Sequence, residues 1–139
     1  MVDLGTLGGD YSSANAINDT GQVVGEAFLM GNTGSHACLW DLNGQPHDLG
    51  TLGDTGSEAL ALDSAASVIV GRATVPSNTG YIVYHAFVWS GGTIQDLNGL
   101  IPTNSGWLLT EATGIDDAGV IVGNGTIGGQ TRAFRLTPR

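Results

Sequence analysis

Three strings recur in the same order along the chain, and this repetition limits the fold more than any other feature. The first is DLGTLGG at 3–9, DLGTLGD at 48–54 and the weaker copy DLNGLIP at 96–102. The second is AINDTGQVVG at 16–25, ALDSAASVIVG at 61–71 and GIDDAGVIVG at 114–123. The third is HACLW at 36–40, HAFVW at 85–89 and the variant RAFRL at 132–136. Asp3 and Asp48 lie 45 residues apart, and Asp48 and Asp96 lie 48 apart.

Each period reads as four short strands. Small and apolar residues alternate over Ser12–Ile17, and Asn18-Asp19-Thr20-Gly21 then supplies hairpin-turn chemistry. Gln22–Ala27 is the return strand, His36–Trp40 the third, and Gln45–Leu49 leads out as the fourth after the turn Asp41–Gly44. No segment carries helical periodicity. With 23 glycines, 41% hydrophobic residues and only 12% charged ones, the composition suits strands joined by tight turns rather than disorder. The expected fold is all-β, a single domain over 1–139 made of three tandem four-stranded antiparallel repeats at about 3–47, 48–95 and 96–139. The last repeat stops without a fourth strand, so the N-terminal segment 2–5 is expected to complete it and hide an open edge.

The strings DLGTLGG, AIND.GQVVG and HAF.W resemble the HAF-type extracellular repeat family over essentially the whole chain. The resemblance implies a secreted or surface-exposed bacterial protein built of β-propeller-like repeats, with no established general activity. The chain departs from the pattern at Cys38, at the turn Asp63–Ala66, and at Arg132 where the other repeats have histidine. Propeller rings close with about four to eight blades, so three propeller-blade-like repeats make an incomplete ring. A homodimer forming a six-bladed ring is the first expectation, since closed symmetric assemblies are the norm. A closed three-fold β-prism or β-trefoil-like monomer, and a fragment of a longer propeller, are the alternatives.

Charge narrows the partners. Thirteen acidic residues face four arginines and no lysine, giving a formal net charge of -9, which disfavours nucleic acid and anionic membranes. Neutral or cationic ligands fit better. The single Cys38 allows no disulfide, no apolar run reaches the length of a membrane helix, and the N-terminus shows no signal region. Gly5–Gly9 is followed by no helix and no lysine, so it is not a phosphate loop, and no cofactor motif is present.

His36, His47 and His85 are too scattered for zinc within one chain, and a bond from each ring to nearby backbone is expected. The turn acids at Asp19, Asp63, Asp116 and Asp117 lack the alternating oxygen pattern of a calcium loop, so no metal site is assigned. Trp40 and Trp89 recur in register and are read as packing, whereas Trp107 does not recur and is a candidate ligand-stacking surface. After the second-strand glycine the repeats diverge to Glu26, Arg72 and Asn124, which with Trp107 form the candidate ligand-binding set. If the protein were an enzyme, Glu58 and Glu111, at matching places on adjacent first strands, would be the acid and base of a glycoside-cleaving site. The leading expectation is an extracellular binding or scaffold module with a carbohydrate ligand, with the glycoside-cleaving enzyme and a purely structural self-assembling half ring as alternatives.

Overall fold

The computed structural model describes all of residues 1–139 and is all-β, in three antiparallel sheets of four, four and three strands. The first sheet holds β1 (Gly8–Ile17), β2 (Val23–Leu29), β3 (Ser35–Trp40) and β4 (Pro46–Asp48) in chain order. The second holds β5 (Ser57–Leu62), β6 (Val68–Val75), β7 (Val83–Ser90) and β8 (Thr93–Asp96), and the third holds β9 (Trp107–Ile115), β10 (Ile121–Ile127) and β11 (Gln130–Leu136). Only two short 3-10 turns interrupt this pattern, at Met30–Asn32 and Leu97–Leu100.

The repeated valines explain how the sheets stack. Successive strand residues point to opposite faces, so Val24 enters the seam with the second sheet while Val23 lies on the outer face of the first. Val24 and Ala37 join Ile69, Ala73 and Phe87 in a buried cluster between the first two sheets. Val70, Ala86 and Val88 meet Leu109, Ala112 and Ile121 between the second and third. The leucine of each DLG or DLN string is a wedge: Leu49 enters the first cluster and Leu97 the second. Full burial of a side chain such as Phe87 contributes about 1.5–3 kcal/mol, so these seams are the main source of cohesion. Polar bridges fix their register. Ser57 Oγ accepts from Ala37 N at 2.7 Å and donates to Gly50 O at 2.5 Å, while Asn98 pairs with both the N–H and the carbonyl of Leu109 at 2.8 and 2.9 Å.

Asp48 and Asp96 close the sheet that precedes them, with Asp48 opposite Cys38 and Asp96 opposite Phe87, in line with the fourth strand expected over Gln45–Leu49. One expectation is corrected. Segment 2–5 does not complete the last sheet, which has three strands. Leu4 and Leu7 instead cover Ala27, Cys38 and Trp40 on the outer face of the first sheet, because those apolar side chains have no preceding sheet against them. Trp40 is buried there, and its Nε1 finds no acceptor among the protein's own groups.

One glycine in each sheet is obligatory. A Cβ on Gly25, Gly71 or Gly123 would lie 1.8, 2.0 or 2.1 Å from the carbonyl oxygen of Ser13, Glu58 or Glu111 on the neighbouring first strand. Each close approach accompanies a register shift in the ladder. Gly71→Ala is therefore expected to destabilise the fold by about 3 kcal/mol, read from urea unfolding. Burial beneath the N-terminal segment pushes the Cys38 thiol up to about 12. The folded protein should accordingly resist a thiol reagent at pH 8, with labelling that tracks unfolding.

Candidate functional site

The first strand of each sheet carries a polar residue at the position where the second-strand glycine lets the backbones meet. In the second and third sheets that residue is Glu58 and Glu111, and opposite them on β6 and β10 stand Arg72 and Asn124. Arg72 is partly buried and reaches in both directions. Its Nε donates to Glu58 Oε2 at 3.0 Å, and Nη1 approaches Glu111 Oε2 at 3.8 Å across the seam. Asn124 Nδ2 donates to Glu111 Oε1 at 2.9 Å, and from the first sheet Asn15 Nδ2 donates to Glu58 Oε1 at 3.1 Å. A continuous polar row, Asn15–Glu58–Arg72–Glu111–Asn124, thus crosses all three sheets.

Beside this row the seam between the first two sheets opens into a recess of about 230 Å³, lined by polar side chains that include Glu26, Glu58, Arg72, Thr74 and Tyr84. Glu26 is held by a bond from Ser35 Oγ at 2.7 Å. The Arg72 guanidinium stacks over the Tyr84 ring at 4.7 Å from its centroid, a cation–π contact that fixes the wall of the recess. The arrangement offers carboxylate acceptors, a planar cation and an aromatic face within one small volume.

The structure brings Glu26 and Arg72 into this recess and ties Asn124 to it through Glu111. Trp107 lies elsewhere, its ring edge-on to Phe134 at 6.4 Å in a recess that Ile101, Pro102 and Leu136 also line. Glu58 and Glu111 do converge, but the Arg72 guanidinium stands between them, where a scissile glycosidic oxygen would have to sit. Sequence reasoning missed Asn15, Ser35, Thr74 and Tyr84. Ser35 and Tyr84, each directly before a His-Ala string, are the two among them with a local signal.

The histidines bond carboxylates rather than backbone. His36 Nδ1 lies 2.9 Å from both oxygens of Asp48, His85 Nδ1 lies 2.5 Å from Asp96 Oδ2, and His47 Nε2 lies 2.7 Å from Asp41 Oδ2. No group of three His, Cys, Asp or Glu side chains is arranged to hold a metal ion. Two of the four turn acids close their own turns: Asp63 Oδ1 accepts from Ser67 and Val68, and Asp116 Oδ1 accepts from Ala118 and Val120. No helix is long and apolar enough to cross a membrane. Comparison with protein-family models, curated proteins and solved structures gives no match.

The turns are also linked to one another. Asn18 Nδ2 donates to Ser64 O at 3.1 Å, and Ser64 donates to the Asp117 carboxylate from Oγ at 2.7 Å and from N at 2.9 Å. The Ser64 hydroxyl and then its N–H hold the Asp117 carboxyl below its ordinary value. A depressed carboxyl contributes stability above its unfolded pKa and loses it as pH falls through the folded one. Ser64→Ala should therefore raise the Asp117 carboxyl pKa in a carbon-detected NMR titration. It should also reduce thermal stability at neutral pH, with the difference from the parent protein vanishing in strong acid.

Proposed function

We propose that the chain is a propeller-blade-like β-repeat binding module that works outside the cell and takes a carbohydrate in the recess at the seam of its first two sheets. The observation that carries this reading is the recess itself. Acceptors on Glu26 and Glu58, the donor face of Arg72 and the ring of Tyr84 converge on a volume of about 230 Å³. That space is below the roughly 300 Å³ where pockets for drug-sized ligands begin, and it suits a single sugar ring with hydroxyls on its rim. The fixed Arg72 is pre-organised by Glu58 and Tyr84, so little side-chain freedom is lost on binding. The extracellular part of the reading is supported by the resemblance to HAF-type repeats, and the net charge of -9 favours a neutral ligand over an anionic one.

The test is a panel of neutral mono- and oligosaccharides titrated into the parent protein by calorimetry. At least one should bind, and Tyr84→Ala should weaken it by about tenfold while thermal unfolding is preserved. Absence of binding across the panel contradicts the carbohydrate reading. Cleavage of any member, lost in the double variant Glu58→Gln and Glu111→Gln, would replace the binding module by a glycoside-cleaving enzyme.

A further inference from the structure

The two ends of the stack are unequal, and each has what the other lacks. In the first two sheets the fourth strand ends on an aspartate whose Oδ1 accepts the N–H two residues on, from Gly50 at 2.8 Å and from Asn98 at 2.8 Å. The same carboxylate meets a histidine on the third strand, His36 with Asp48 and His85 with Asp96. Asp3 is the matching aspartate of the first DLG string. It already makes the local bond, accepting from Gly5 N at 2.9 Å, yet it is exposed and meets no cation. The matching cation of the third sheet is Arg132 on β11, which is exposed and meets only Thr131 O and the Gln130 side chain. β11 also has no strand on its outer edge.

Apolar positions repeat the pattern. Val24 and Val70 are 0% exposed in the two seams, whereas their counterpart Val122 on β10 is 42% exposed. Ala37 and Ala86 are fully buried, whereas Ala133 on β11 is exposed. The wedge leucines Leu49 and Leu97 have sheets on both sides, whereas Leu4 and Leu7 are backed only by the first sheet. The third sheet therefore presents a seam face without a wedge, and the first presents a wedge without a seam face. Arg135, at the place of Leu39 and Val88, is the one polar departure on that face.

We infer that the open face of the third sheet docks the N-terminal face of a second copy of this chain, whose Met1–Asp3 becomes the missing fourth strand beside β11. In this register Asp3 of the second copy lies opposite Phe134 and meets Arg132, as Asp48 lies opposite Cys38 and meets His36. Its Leu4 N–H donates to Ala133 O, as Leu49 N donates to Ala37 O at 2.9 Å, and its Leu4 and Leu7 cover Val122. Met1 packs on Leu136, as Pro46 packs opposite Trp40. Such a contact joins unlike faces, and two of them related by a two-fold axis close a pair with no open end. Closure also covers the exposed edge of β11, which otherwise invites unspecific strand pairing. The inference rests on the blade-like reading of the sheets and not on the carbohydrate recess, so the glycan panel and the experiment below fail independently.

Light scattering across a dilution series is the test. The parent protein should show twice its 14.2 kDa mass, falling to the single mass on dilution. Arg132→Asp and Asp3→Arg should each raise the dissociation constant by about tenfold or more, and the two together should restore it. Amide exchange at Leu4 should slow with rising protein concentration, a readout that does not depend on any substitution. A single mass at all concentrations, assemblies larger than a pair, or a double variant as weak as the single ones would each overturn the proposal.

Discussion

A Cβ on the second-strand glycine of each sheet would collide with a first-strand carbonyl, at Ser13 and Gly25, Glu58 and Gly71, and Glu111 and Gly123. Only a residue without a side chain tolerates that contact. The contact sets the shift in each ladder, and the shift decides which residues of the second strand look into a seam. Because the same residue that supplies the carbonyl supplies the carboxylate in the second and third sheets, the constraint that shapes the sheets also delivers Glu58 and Glu111 to the polar row.

Two kinds of position can be separated on this framework. The wedges Leu49 and Leu97, the buried Ala37 and Ala86, and the histidine–aspartate pairs do the same work in both complete sheets. Glu26, Arg72 and Asn124 occupy one structural place with three different chemistries, and there the repeats stop behaving as copies. The proposed binding reading rests on that divergence: an arginine with a carboxylate on either side and an aromatic ring beneath it is a fixed set of donors and acceptors rather than a solvated charge.

Much of this was legible in the sequence. The repeated QVVG, VIVG and HA strings mark strands because short apolar, mostly β-branched runs recur between turn residues, and the repeats diverge after the second-strand glycine at Glu26 and Arg72. What the sequence left open depends on contacts between strands. Asn15 reaches Glu58 across the seam, while Ser35 and Tyr84 meet Glu26 and Arg72 from the neighbouring strand of the same sheet, and no local pattern encodes either contact. Trp107, which does not recur, stands apart from the polar row, edge-on to Phe134 on the same sheet, and lines a separate recess. The aspartate of the DLG string opens the sequence motif and closes the preceding sheet, as the fourth strand read at Gln45–Leu49 implies.

The central claim is that Arg72 is a fixed, partly buried donor at the heart of a ligand site. The direct measurement is the Arg72 Nε–H resonance in a nitrogen-resolved NMR spectrum, followed while a neutral oligosaccharide is added. The account predicts a resolved, slowly exchanging proton in the free protein, bonded to Glu58 and shifting as the ligand binds. A proton that exchanges with water as fast as that of an exposed arginine, and that ignores the ligand, would contradict it.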